Sequence, residues 1–207
     1  MKLIIFGATG SIGHHLVQQA LEQGHSVTTF TRDASKVGVQ NEHVNIIVGN
    51  VLDPISVDDA VTGHDVVLCS LGAGMKGVVR SEGTKNIIHA MQQSGVKRLI
   101  CQSSLGVGDS KSNLTLFWKY FMFGLLLRKA YKDHFYQEQY VSQSELDWTI
   151  VRPGEFTDGD HTGQYQYGFS PAERSLKLKV SRADVADFML KQISDKTFLY
   201  KTPGLSY

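Results

Sequence analysis

Three glycines, at positions 7, 10 and 13, separate the apolar run Leu3-Ile4-Ile5-Phe6 from a segment, Ile12 to Gln23, with the apolar spacing of a helix. A strand, a glycine turn and a helix in that order strongly constrain what the chain can build. The first-turn N–H groups of a helix have no intrahelical partners, and the helix dipole is positive there. Phosphate oxygens can use both features where side chains do not hold the ligand away. The spacing is G-x-x-G-x-x-G rather than the G-x-G-x-x-G of the dinucleotide fingerprint, and glycine also collects in purely structural turns. The flanking strand and helix favour a nucleotide site over a structural turn.

The next extended segment, His25 to Phe30, leads into Thr31-Arg32-Asp33. A carboxylate at the tip of this strand would bond the ribose hydroxyls of NAD, whereas an arginine accommodates the 2′-phosphate of NADP. Arg32 occupies the tip and Lys36 lies one helical turn further on, so NADP(H) is the expected cofactor. The competing reading is a solvated Arg32 paired with Asp33.

Apolar runs then recur with helical patterns between them. Val44–Val48, Asp65–Ser70, Arg98–Ser103 and Trp148–Arg152 read as further strands. Helices are expected over Ser81–Ser94, with Ile87, Ile88 and Met91 inward and Gly95 ending it, and over Leu127–Ser144. Short continuous apolar strands imply a parallel sheet buried on both faces, and the alternation gives a doubly wound α/β fold, a Rossmann fold, in one domain. After Pro153 a loop rich in Gly, Asp and His leads to a late edge strand, Ser175–Val180. Ser181-Arg182-Ala183-Asp184 matches a capping box opening a last helix, Arg182–Ile193, and no chemistry is assigned to Asp184.

The 207 residues carry 21 Lys and Arg against 20 Asp and Glu, so neither nucleic acid nor an anionic membrane is expected as a partner. With a strand read directly after Met1-Lys2, no targeting segment is expected. Cys69 and Cys101 fall in apolar runs and read as buried thiols, which fits a cytoplasmic location. His14-His15 has no carboxylate or cysteine at ligand spacing, and no metal is expected there. The apolar stretch Leu114–Leu127 is shorter than the ~20 residues of a span and is interrupted by Lys119. It reads as a cover over a ligand pocket, with self-association or interfacial membrane contact as alternatives. A monomer or weak homo-oligomer is expected.

Four segments together, Gly7–Gly13, Thr31-Arg32-Asp33, Gln102-Ser103-Ser104 and Leu146–Pro153, resemble the NAD(P)H-binding branch of the atypical short-chain dehydrogenases/reductases. The resemblance runs over essentially the whole chain and is strongest to the flavin reductase and biliverdin reductase type. It is weakest over 105–132, where the substrate should bind. It implies bound NADP(H), with Gly7, Thr9, Gly10, Ser11 and Ile12 at the pyrophosphate and Arg32 and Lys36 at the 2′-phosphate. It also implies Asn50 and Val51 beside the adenine, Leu71-Gly72-Ala73 beneath the ribose and nicotinamide, and Ser103 beside the nicotinamide. Pro153 joins the cofactor-binding set. An aspartate is more usual than Asn50 at its position.

Alcohol-oxidising members of the superfamily use a Tyr-x-x-x-Lys pair to move a proton. Those positions fall here on Ala130 and His134, and Tyr131, Tyr136 and Tyr140 have no lysine four residues later. The expected function is therefore an NADPH-dependent reductase of a flavin, bilin or similar planar conjugated acceptor. Ser103 and His134 are the candidate catalytic residues, although each also has a structural reading, Ser103 as a strand-end hydroxyl and His134 as a packing residue. Phe117, Trp118, Phe121 and Tyr131 are expected to line the acceptor pocket, with Phe156 opposite. A non-catalytic NADP(H) sensor is the alternative, and a sugar-nucleotide epimerase or dehydratase is disfavoured by the missing pair.

Overall fold

A computed structural model describes every residue except Met75, Lys76 and Ala172, together with the side chain of Lys119. Six parallel strands form the body of one sheet: β1 (Lys2–Phe6), β2 (Ser26–Thr31), β3 (Val44–Val48), β4 (Val66–Cys69), β5 (Arg98–Gln102) and β6 (Asp147–Pro153). Their order is β3-β2-β1-β4-β5-β6, the doubly wound arrangement. It continues through β10 (Gly204–Ser206), parallel to β6, to β8 (Gln166–Tyr167), which is antiparallel.

Alternating side chains of the central strands feed two cores. Ile4, Phe6, Val67, Cys69, Leu99 and Cys101 pack with α2 (Pro54–Val61), α3 (Val79–Ser94) and α4 (Arg128–Ser142). Leu3, Ile5, Val66, Leu68 and Ile100 pack on the other face with α1 (Gly13–Glu22) and α5 (Arg182–Lys191). Leu3 to Phe6 are wholly buried, as a strand covered on both faces requires. β3 departs from the expectation of burial: it is an edge strand, and Val48 is 62% exposed. Cys69 and Cys101 pair in register on β4 and β5 as buried free thiols.

Gly95 ends α3 in the left-handed conformation, at φ 78°. Ser181 caps α5 by accepting from Asp184 N at 3.0 Å, but the reciprocal half of the capping box is absent. Ser181 N donates instead to the Tyr207 hydroxyl, and Asp184 accepts from Thr162, Gly163 and Tyr207. The late strand is shorter than expected: β9 spans Lys179–Ser181 and pairs with β7 (Glu155–Thr157) in a separate two-stranded sheet. Leu178, with φ 56°, turns the chain just before it, and its carbonyl accepts from Glu155 N at 2.7 Å.

The apolar stretch forms a π-helix, Phe117–Leu126, running directly into α4. Among the described residues no helix is long and apolar enough to cross a membrane.

Candidate functional site

Two cavities open along the carboxyl ends of the central strands. The first lies where the strand order reverses, between β1 and β4, the position at which open α/β sheets bind ligands. The glycines explain its shape. Gly7 has φ +87°, and a Cβ there would stand 2.2 Å from the Ser70 carbonyl oxygen. A Cβ on Gly13 would meet the Gly7 carbonyl at 2.0 Å, so Gly13 lets α1 pack against the end of β1. Gly10 meets only that same carbonyl, at 3.1 Å, and otherwise borders open space. No side chain caps α1 and no acidic residue stands in its first turn. A cradle of this kind, with its helix terminus uncapped, fits a pyrophosphate.

Gly7, Thr9, Gly10, Arg32, Asn50, Val51, Leu71 and Gly72 all line this cleft. Ser11 and Ile12 sit at the start of α1 just behind it, whereas Lys36 and Ala73 lie outside its lining. Arg32 is exposed and forms no ion pair with Asp33. Asp33 instead accepts from Ser35 N at 3.1 Å and stands 3.7 Å from Lys36 Nζ. Sequence reasoning missed Phe30 and Gly49 in the lining. Their signal is mutual, since a Cβ on Gly49 would lie 2.5 Å from the Phe30 ring.

The second cavity, about 240 Å³, lies beside the ends of β5 and β6. Ser103 and His134 both line it, and so do Trp118 and Phe156. Phe117 and Phe121 do not. They stack on each other at 5.2 Å between centroids and are 58% and 47% exposed. Tyr131 also stands outside the lining, packed behind Phe123 at 5.6 Å. The π-helix accounts for the difference. With i→i+5 bonding, residues five apart share a face, which aligns Trp118 with Phe123 at 6.0 Å and turns Phe117 and Phe121 outward. Phe123, Leu127 and Leu178 are lining residues that the sequence did not single out. Pro153 lies outside both linings, buried at the end of β6, and its carbonyl accepts from Leu105 N at 2.8 Å.

His134 is held by α4 and is almost entirely buried. Burial, reinforced by the nearby Arg80 charge, lowers its pKa to about 3. Gln137 donates from Nε2 to Thr84 Oγ1 at 3.0 Å and presents Oε1 to His134 Nδ1 at 3.3 Å. Accepting at Oε1 fits a ring proton on Nδ1, while burial and the Arg80 charge, against the opposing pull of this hydrogen bond, keep the imidazole neutral at neutral pH. The Ser103 hydroxyl oxygen is buried with no hydrogen-bond partner among the described residues. Ala130 is buried, and its methyl group offers no proton.

The family model described as NAD(P)H-binding matches residues 7–196. The chain belongs to the NAD(P)H-binding family. The UPF0659 protein YMR090W of Saccharomyces cerevisiae is 30% identical over 209 residues, covering 93% of this chain and 87% of that protein. The photosystem II assembly factor Ycf39 of Synechocystis is 26% identical over 98% of this chain, which spans 61% of that factor's length. Among solved structures, a short-chain dehydrogenase/reductase of Veillonella parvula in complex with NADP superposes with a TM-score of 0.84 at 20% identity. That match covers 100% of this chain and 94% of the other. ChuY, an anaerobilin reductase of Escherichia coli O157:H7, gives a TM-score of 0.82 at 24% identity over 99% and 96% of the two chains. The structural likenesses agree with the doubly wound fold, and family membership makes NAD(P)H the cofactor.

Proposed function

We propose that this protein is an NADPH-dependent reductase that delivers hydride to a planar conjugated acceptor of the flavin or bilin type. The observation that carries this reading is the pairing of a dinucleotide cleft with a neighbouring aromatic-walled cavity whose lining, among the described residues, holds no tyrosine–lysine proton relay. Gly7, Thr9 and Gly10 would hold the pyrophosphate, Arg32 the 2′-phosphate, and Asn50 with Val51 the adenine side. A reduced nicotinamide supplies the hydride when bound. The protein's own part is orientation: Trp118, Phe123 and Phe156 give a flat apolar acceptor faces to stack on, and burial excludes water. A neutral His134 in that lining positions the acceptor rather than protonating it, so the proton comes from solvent or substrate. The ChuY likeness supports a bilin-like acceptor at the level of the fold.

The test is multiple-turnover oxidation of NADPH by purified protein with FMN, riboflavin or biliverdin, followed at the nicotinamide absorbance. Turnover above background with at least one of them is expected. Tight NADPH binding without oxidation across the panel would replace the reductase with a cofactor sensor.

A further inference from the structure

Helix α3 begins at the seam between the two cavities, with Val79 lining the dinucleotide cleft and Arg80 lining the aromatic cavity. The Arg80 side chain is only 10% exposed. Its Nε and Nη1 are buried with no hydrogen-bond partner among the described residues, and Nη2 reaches only the Gly74 carbonyl, at 3.5 Å. Buried donors in folded proteins are almost always paired, so idle donors on a buried cation require an explanation.

The neighbouring Asp133 does not satisfy them. Its carboxylate accepts from Arg80 N at 3.1 Å, from Ser81 N at 2.9 Å and from Ser81 Oγ at 2.6 Å. Asp133 therefore serves as the missing cap of α3, reaching across from α4. Its distance to Arg80 Nη1 is 3.6 Å, which balances charge through space without a hydrogen bond. The other charged lining residue, Glu155, is exposed, and the neutral His134 contributes no charge. Ser103, in the same lining, adds a second buried polar atom without a partner. The start of α3 adds positive potential.

We propose that Arg80 is an anion receptor in the acceptor cavity, and that the acceptor class is a planar conjugated molecule bearing a carboxylate. The apolar walls select the ring system, and a weakly hydrated guanidinium with idle donors selects the charged group. The inference rests on reading this cavity as the acceptor site.

The experiment is titration of the protein, with and without saturating NADP⁺, by 2-naphthoate and by its neutral counterpart 2-naphthamide, read by calorimetry. The carboxylate should bind at least tenfold more tightly than the amide. Arg80→Met should erase that difference, and Arg80→Lys should keep part of it. Arg80→Met leaves the buried Asp133 without its charge partner and should lower the melting temperature. The carboxylate keeps its bonds to backbone N–H groups and Ser81, so the fold should persist at the titration temperature. Arg80→Lys, which keeps the charge, is the control, and circular dichroism and thermal melting check both. Equal affinities in the unaltered protein, no binding of the carboxylate, or an Arg80→Met variant with unchanged preference would each overturn the proposal. Arg80-dependent carboxylate binding by a protein that oxidises no NADPH would reject the reductase reading and leave the anion receptor standing. Reduction of acceptors without charge discrimination would do the opposite.

Discussion

Arg152, on β6, grips Glu138, on α4, through two hydrogen bonds: Nε to Oε1 at 2.9 Å and Nη2 to Oε2 at 2.7 Å. Its third nitrogen meets Asp109 at 2.5 Å, so one guanidinium ties the sheet, the helix behind the acceptor cavity and the turn after β5. Both partners of the inner pair are buried, with side chains 6% and 9% exposed. Removing one partner of such a pair strands a charge. Glu138→Ala is therefore expected to destabilise the fold by about 3–5 kcal/mol, whereas a double replacement by apolar residues of similar volume should cost less. Urea unfolding of the two variants checks this. A single variant as stable as the parent would show that the pair does not hold α4 to β6.

The acceptor cavity gives a second prediction, on the π-helix. Phe123→Ala removes a wall and should raise the acceptor KM several-fold or more, because an aromatic pair contributes about 0.5–1.5 kcal/mol beyond its buried area. Phe121→Ala should leave KM within twofold, since that ring faces outward. Reversal of this order would mean that the helix turns the other face to the ligand.

That contrast shows where sequence reading stopped. Most of the parallel strands were legible because they are short apolar runs alternating with helices, β2 being the mixed Ser-Val-Thr-Thr-Phe-Thr with only a short turn before β3. Gly7, Gly10 and Gly13 shape the cleft by the contacts a side chain would make. The aromatic segment was legible as a cover, but its facing was not. Of the aromatics expected there, Trp118 faces the cavity, but the π-helix pairs it with Phe123 and leaves Phe117 and Phe121 outside, a facing that no residue pattern in the sequence announces. Leu178 escaped notice because it looked like part of a strand, yet its positive φ aims the chain into the cavity wall. Arg80 drew no reading in the sequence, lying just before the helix expected from Ser81. Its charge partner is Asp133, 53 residues later, and no local pattern announces that contact.

Cofactor choice gives the third prediction. Arg32 lines the cleft without an ion pair, leaving its guanidinium available to a 2′-phosphate. Arg32→Ala should weaken NADPH binding by about tenfold or more, from the ~1.5–3 kcal/mol of one charge-assisted contact, and leave NADH binding unchanged. Nicotinamide fluorescence titration measures both. Lys36, on the solvent side and held near Asp33, should matter less. Equal losses for the two cofactors would point to a general packing defect rather than phosphate recognition.

His134 supplies the last prediction, in which stability but not activity responds to pH through this ring. With its pKa lowered from 6.5 to about 3, chiefly by burial, the folded ring stays neutral throughout the working range. Turnover should therefore show no loss with a midpoint near pH ~6.5, the ordinary histidine value. Stability should behave differently. Above pH 6.5 neither state binds the proton at this site. Below it the unfolded chain takes up a proton that the folded chain refuses until about pH 3, so stability falls as pH drops through that window. The slope from this one residue is on the order of 1.4 kcal/mol per pH unit. Other acid-sensitive groups contribute as well, and comparison with His134→Gln isolates the share due to this ring. Urea midpoints at pH 7, 6, 5 and 4.5 should converge for the two proteins as the medium is acidified, because the variant lacks the penalty. Parallel curves, or a turnover that falls as pH rises through an ordinary histidine pKa and loses that dependence in the variant, would make His134 a protonated acid in the working enzyme.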